Sequence, residues 1–311
     1  MPRRAKALVV PAVIGALLAL PLQAGAYTRM HPPLTATASS ETVEAARVAR
    51  YWTPARMRSA LPLDAGRLTP NAGGANPFAT ASFAPVTDAS VPPYPVNGRV
   101  FILQGRNRGT CSGTAINSPT RQLVITAGHC VNSGPVSRKG NSVWSRYLEF
   151  VPAYDDGVAP FGAFVARRGS VYASKQWTRW GNPDFDIGAF LTLPNANGQN
   201  VADAVGGGAT IALDQPRRQE FETFGYPGEV HSLQQCNSPY VGDDSLSYPL
   251  PGPPTMAIRC RWGPGASGGG WLISGGTMIN GLTSYGHRVN HTHTFGPYFG
   301  TENVGKLVNG L

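Results

Sequence analysis

From Asn97-Gly98 onward, the chain falls into short runs rich in β-forming apolar residues, separated by turn residues. This pattern predicts β-strands over residues 99–103, 110–116, 123–126, 147–151, 161–166 and 187–193. Six such strands suffice to close one barrel. A stretch with glycine and proline over residues 193–208 marks a crossover, and a second set follows over residues 210–213, 221–224, 256–260, 270–273, 278–283 and 294–299. The expected fold is all-β: two six-stranded antiparallel barrels, about 96–193 and 209–300, with a short C-terminal helix capped by Thr301 and ending at Val308.

The pattern differs before residue 91. Residues 1–26 carry Arg3, Arg4 and Lys6, then an apolar run over residues 8–22 broken by Pro11 and Gly15, then Ala24-Gly25-Ala26. That is the form of a secretory signal peptide, and the apolar run is shorter than the ~20 residues a membrane-spanning helix needs. Residues 27–90 shift to Ala, Thr, Pro and Arg. Ser40 with Glu41 and Glu44 predicts a helix through Tyr51, and Pro54 opens another. Two helices ahead of an all-β body read as a pro-segment, with the Pro/Gly-rich residues 69–95 as an exposed link suited to processing. The alternative is a disordered tail that is never removed. Residues 91–311 are the main domain.

Composition supports many short strands and turns: Gly 38, Pro 28 and only 14% charged residues. Of the formal net charge of +9, +3 sits in residues 1–26 and +2 in residues 27–90, leaving +4 for the body. No Lys/Arg cluster is interleaved with aromatics, so nucleic acid is not an expected partner. After signal cleavage nothing predicts stable membrane association, and a secreted, extracellular monomer acting without a cofactor is the expectation. Four cysteines suit an oxidising compartment, where three pairings are possible in principle and local pairing is the most economical.

The candidate chemistry centres on Gly263-Pro264-Gly265-Ala266-Ser267-Gly268-Gly269-Gly270-Trp271. Ser267 stands in a tight turn poor in side chains, where the backbone N–H groups of Gly265 and Ser267 can converge on an oxyanion. A flexible surface loop has the same composition. A serine hydroxyl also needs a base, and His129 in Thr126-Ala127-Gly128-His129-Cys130 supplies one. Asp186, at the mouth of the apolar run Ile187-Gly188-Ala189-Phe190, supplies an acid to fix the tautomer of the imidazole, with Asp184 as its competitor. The G-x-S-x-G elbow of α/β-hydrolases also fits the serine, but that fold needs a helix after it and the order Ser, acid, His. After Ser267 the acid is Glu302, and no histidine follows it.

With the order His129, Asp186, Ser267, residues 96–311 resemble the trypsin-like (chymotrypsin-fold) serine proteases, particularly the secreted bacterial branch related to glutamyl endopeptidases. The resemblance rests on Thr126-Ala127-Gly128-His129-Cys130, Asp186-Ile187-Gly188, Gly265-Ala266-Ser267-Gly268-Gly269 and Gly281-Leu282-Thr283-Ser284-Tyr285-Gly286. It implies a serine endopeptidase acting on peptides or proteins through an acyl-enzyme, with the site in the cleft between the barrels. A catalytically silent binding protein or adhesin of the same fold is the alternative. The resemblance implies a Cys111–Cys130 disulfide behind His129, and local economy leaves Cys236–Cys260. Closing loops of this size contributes about 3 kcal/mol each.

It further implies that Ser284, Tyr285 and Gly286 pair with the substrate backbone. Residue 266 is Ala where animal digestive enzymes carry an Asp that receives the new N-terminus, so any zymogen control falls to the pro-segment. The pocket floor falls on Arg261 and Trp262, with Thr283 where some acid-specific relatives place polarity. An inward-facing Arg261 would repel Lys or Arg and accept Glu or Asp, whereas Trp262 filling the pocket would favour small residues. His287, His291 and His293 match no metal-ligand spacing, so no metal is expected.

Overall fold

The computed structural model describes residues 27–29, 38–64, 83–136, 141–228, 230–244, 251–287, 292–309 and 311. The expected leader over residues 1–26, most of the expected link and His291 lie outside them.

Five elements precede the main body: β1 (Tyr27–Arg29), α1 (Ala38–Tyr51), α2 (Pro54–Arg58), β2 (Leu61–Pro62) and β3 (Ala84–Pro85). Both expected helices form, although α1 starts two residues before Ser40. In α2 the Thr53 hydroxyl accepts from the Arg56 N–H and Pro54 occupies the first turn, where it sacrifices no hydrogen bond.

The six runs expected for the first barrel become β4 (Asn97–Gln104), β5 (Asn107–Ala115), β6 (Leu123–Ala127), β7 (Ser145–Pro152), β8 (Phe164–Ser174) and β9 (Ile187–Thr192). They pair antiparallel in the order β8-β7-β4-β5-β6-β9, and β9 returns to β8 to close the ring. Val100, Val124, Phe150, Phe164 and Phe190 fill its interior. Short helices α3 (Gly128–Val131), α4 (Lys175–Trp180) and α5 (Val201–Ala204) sit on the connections.

The second half contains β10 (Thr210–Ile211), β11 (Glu220–Gly225), β12 (Gln234–Asp243), β13 (Met256–Ile258), β14 (Gly270–Ile273), β15 (Met278–Leu282) and β16 (Thr294–Gly296). Six of them form the sheet β15-β14-β11-β12-β13-β16, and bridges Gly281–Tyr298 and Tyr285–Phe295 draw its ends together. Phe221, Met256, Ile258, Trp271 and Ile273 form its core. The sixth strand is therefore β12, whereas the run expected at 210–213 contributes only β10, a parallel edge on β15. The expected runs omit the β12 segment, since Gln234, Gln235, Asn237, Ser238 and Pro239 carry little strand propensity. What makes this segment a strand is pairing on both sides, with β11 and with β13. A π-turn over Thr301–Gly305 leads into α6 (Lys306–Val308), the expected terminal helix.

The N-terminal elements are docked onto the body. Val48, Trp52, Met57 and Ala60 are buried in the same apolar core as the first barrel. The Trp52 indole N–H donates to the Tyr147 carbonyl at 2.6 Å, and its ring packs 5.4 Å from that of Phe101. Arg47 donates to the Tyr147 hydroxyl at 2.7 Å, and Arg167 pairs with Glu41 at 3.1 Å. Each large apolar side chain buried this way stabilises the docked state by about 1.5–3 kcal/mol. Phe83 stacks on Trp262, and β3 adds to β12, so residues 83–86 belong to the second half.

One buried acid carries a stability consequence. Glu149 in β7 is 2% exposed, its Oε2 has no partner among the described residues, and burial pushes its carboxyl up from 4.5 to about 8. Between those values the folded state holds a proton that the unfolded chain has lost, so stability should fall as pH rises across this window. Glu149→Gln is expected to flatten that slope and to raise the melting temperature at pH 8 and above. Melting curves of both proteins from pH 4 to 9 check it; parallel curves would mean that Glu149 reaches solvent or a counter-charge.

Candidate active site

β6 ends at Ala127 and turns directly into α3, which places His129 one residue inside the helix. β6 pairs with β9, with Ala127 opposite Ile187, so Asp186 arrives beside His129 although 57 positions separate them. Asp186 closes the 3-10 turn Pro183–Phe185, whose start is held by the Asn182 side chain accepting from the Asp184 N–H. Gly128 is required for this approach, since a Cβ there would lie 2.8 Å from Asp186 Oδ1.

Asp186 Oδ2 lies 2.7 Å from His129 Nδ1, and Oδ1 accepts from the His129 backbone N–H at 2.7 Å. The Ser284 hydroxyl donates to Oδ2 at 2.5 Å. Burial disfavours the charge of Asp186, yet the imidazole and these hydrogen bonds outweigh it and hold the carboxyl below its ordinary range. Asp184 does not share in this. Its Oδ1 accepts from the Thr255 N–H at 3.2 Å, and burial, with the nearby Asp244 charge, pushes it up to about 6.

The turn carrying Ser267 comes from the other half of the molecule. Gly265 and Gly268 adopt φ of +93° and +86°, conformations that side chains resist, and a Cβ on Gly268 would lie 2.2 Å from Thr126 Oγ1. Ser112 in β5 clamps the turn: its N–H donates to the Ser267 carbonyl at 2.8 Å and its hydroxyl to the Gly265 carbonyl at 3.0 Å. This clamp joins the two barrels at the site. The sequence carried no sign of Ser112, because its role depends on a partner 153 positions away.

Ser267 is 2% exposed. Its Oγ donates to Asp64 Oδ2 at 2.9 Å and lies 3.4 Å from the Ser284 carbonyl oxygen. The Gly265 N–H donates to Asp64 Oδ1 at 2.8 Å. His129 Nε2 is buried and has no hydrogen-bond partner among the described residues. Asp64 was not among the residues singled out in the sequence, where it is one acid in the stretch expected to be a pro-segment.

The remaining predicted residues are distributed around this centre. Ser284 and Tyr285 lie beside it, and Ser284 has the added contact to Asp186. The Tyr285 hydroxyl donates to Asp244 at 2.6 Å, and His287 Nε2 lies 2.9 Å from the same carboxylate. Gly286 follows on the same segment. Thr283 is buried, and its hydroxyl accepts from the Trp271 indole at 3.0 Å. The Trp262 indole donates to Thr223 at 3.0 Å and its ring stacks on Phe83 at 5.1 Å; Arg261 is half-buried. Asp243 pairs with Arg217 at 2.6 Å. The disulfides are Cys111–Cys130 and Cys236–Cys260, the local pairing. Cys111, His129 and Cys130 bring ligand-type atoms together, but both thiols are consumed in the disulfide and leave no thiolate to hold a metal. No helix among the described residues is long and apolar enough to cross a membrane.

Comparison with solved structures finds proteases. The protease Anisep from Arthrobacter nicotinovorans is 31% identical with a TM-score of 0.57, over 67% of this chain and 91% of that one. The thermostable serine protease AL20 from an extremophilic microorganism is 29% identical with a TM-score of 0.60, over 70% and 96%. A Glu endopeptidase in complex with MPD, at 20% identity and a TM-score of 0.59 over 75% and 97%, shares the fold. No family model and no curated protein sequence matches the chain.

Proposed function

The chain belongs to the trypsin-like serine proteases of the chymotrypsin fold, and from that membership we propose a secreted endopeptidase that cleaves peptide bonds through Ser267, His129 and Asp186. The observation that carries this reading is the doubly hydrogen-bonded His129–Asp186 pair on one barrel, joined through Ser284 to Ser267 on the other. Ser267 attacks the scissile carbonyl, and His129 takes the hydroxyl proton and returns it to the leaving amine. Asp186 keeps the imidazole N–H directed at itself and stabilises the imidazolium. The Gly265 and Ser267 N–H groups receive the oxyanion. The acyl-enzyme is then hydrolysed by water through the same base.

The proposed organisation is a signal peptide over residues 1–26, a pro-segment and linker over 27–90, and a protease domain over 91–311 that acts as a monomer. A cut within residues 65–82 would leave residues 83–86 on β12 while separating α1, α2 and β2 from it. Labelling of processed protein with a fluorophosphonate tests the assignment. Modification confined to Ser267 is expected, and an unlabelled but folded protein would favour a silent binding protein of the same fold.

For specificity, the proposed pocket floor is Arg261, which is half-buried next to Trp262. Substrates with Lys or Arg before the cleaved bond should then be poor, because a desolvated guanidinium repels them. Peptide-library profiling of the wild type against Arg261→Ser checks this. Efficient wild-type cleavage after Lys or Arg would place the guanidinium outside the pocket.

A further inference from the structure

The residues that hold Asp64 in place are as telling as its two hydrogen bonds. β2 lies parallel to β5, with Leu61 opposite Gly109 and Pro62 opposite Thr110, and the Leu63 N–H then donates to the Thr110 carbonyl at 3.0 Å. Gly109 makes room for Leu63, whose Cδ1 lies 2.9 Å from where a Cβ would stand. Pro62 packs toward Gly265, with its Cβ 3.4 Å from the corresponding point. Upstream, Ala60, Met57, Trp52 and Val48 are buried in the barrel core. The carboxylate therefore reaches Ser267 at the end of an anchored arm, two residues beyond a strand.

We infer that Leu61 to Asp64 form an internal inhibitor, and that the Ser267 turn contains a carboxylate-binding site whose occupant in the full chain is Asp64. This rests on the assignment of Ser267 as nucleophile. A single carboxylate takes two of the hydrogen bonds that the reaction requires. Asp64 Oδ1 accepts from the Gly265 N–H, the proposed donor to the oxyanion, and Oδ2 accepts the Ser267 hydroxyl proton, which catalysis needs directed at His129. His129 Nε2 is correspondingly without a partner among the described residues. The charge is matched to the site, since donors arranged for a developing oxyanion bind a carboxylate oxygen by the same dipoles. The plug is not itself consumed, because a side-chain carboxylate offers no leaving group for acyl transfer.

The device supplies the control that Ala266 cannot. With no acid at residue 266 to capture a new N-terminus, withdrawal of Asp64 from Ser267 and Gly265 is the activating step. Once the chain is cut beyond Asp64, the arm is held only by its docked helices and by β2 on β5, and its departure frees both hydrogen bonds. The cleft would afterwards favour ligands of the same chemistry, peptides bearing a carboxylate at the position of Asp64.

The test compares full-length, unprocessed chains, with a Pro-rich or otherwise protease-resistant substitution of residues 65–82 to prevent cutting. Fluorophosphonate labelling of Ser267 should be slow in the wild type and faster by about tenfold or more in Asp64→Ala, the loss of two charge-assisted hydrogen bonds. Asp64→Asn should fall between them, since it keeps one acceptor and loses the charge. Equal labelling of all three would overturn the inference. Failure of every form to label, processed protein included, would instead remove Ser267 as nucleophile. A synthetic peptide of residues 38–64 added to processed protein gives a second reading: competitive inhibition that weakens at least about tenfold in the Asp64→Ala peptide supports the plug. Equal inhibition by the two peptides would assign the binding to the helices and β2 and would overturn the carboxylate plug.

Discussion

Ser267→Ala and His129→Ala, each made in processed protein, are expected to lower peptide hydrolysis by about 10⁴-fold or more. The reason is geometric: the hydroxyl and the imidazole act as one unit, so either loss removes general-base activation of the nucleophile. Combining the two should cost little beyond either alone. Folding should survive. Ser267 is buried, but its backbone carbonyl, held by the Ser112 N–H, does the structural work and remains in the alanine variant. Its melting temperature is therefore expected within a few degrees of wild type, a change of about 1 kcal/mol or less. Hydrolysis of a peptide library, with thermal unfolding as the control, decides it. Substantial activity in Ser267→Ala would place the nucleophile elsewhere.

Asp186→Asn should be nearly as damaging, again by about 10⁴-fold. The amide replaces an acceptor with a donor. If its oxygen keeps the bond from the His129 backbone N–H, its NH₂ faces both the Ser284 hydroxyl and His129 Nδ1, and the imidazole must present a lone pair there instead of a proton. Nε2 is then protonated and cannot accept from Ser267. Asp184→Asn, which touches Thr255 and not the imidazole, should leave turnover within a few-fold of wild type. A reversed ranking would exchange the two acids. The same carboxyl has a signature in stability. Because its folded value lies below the ordinary 3.8, Asp186 contributes stability that is present above that value and lost as pH falls through the lower folded one. Asp186→Asn should erase that acid-side component, visible as a weaker loss of stability in melting curves taken below pH 4.

The sequence alone determined the first barrel, the two N-terminal helices and the chain order of His129, Asp186 and Ser267. Each rests on a local cause. Short β-type runs bounded by turn residues mark β4 to β9, most of whose positions are buried, and Pro54 and the acids after Ser40 act within a single helical turn. The tight turn at Ser267 was legible for the same reason, since side chains rarely adopt the φ of +93° and +86° that Gly265 and Gly268 use. Local pairing of the cysteines was likewise correct.

Tertiary structure decided what depends on partners distant in the chain. β12 is a strand because β11 and β13 flank it, not because its glutamines and proline prefer to be extended. Thr283 and Trp262 read as pocket residues, but their polar atoms are committed to Trp271 and Thr223. Ser112 and Ser284 gain their roles from contacts spanning 153 and 98 positions. Asp64 is the clearest case, one acid in a stretch whose composition marks it as disposable. Its place at Ser267 Oγ is set by 203 positions of intervening chain, by the pairing of β2 with β5 and by the burial of Trp52 and Met57. A hydrogen bond closed over that distance leaves no local periodicity or spacing to be read, because the chain between its ends is free to vary while the fold alone fixes where they meet.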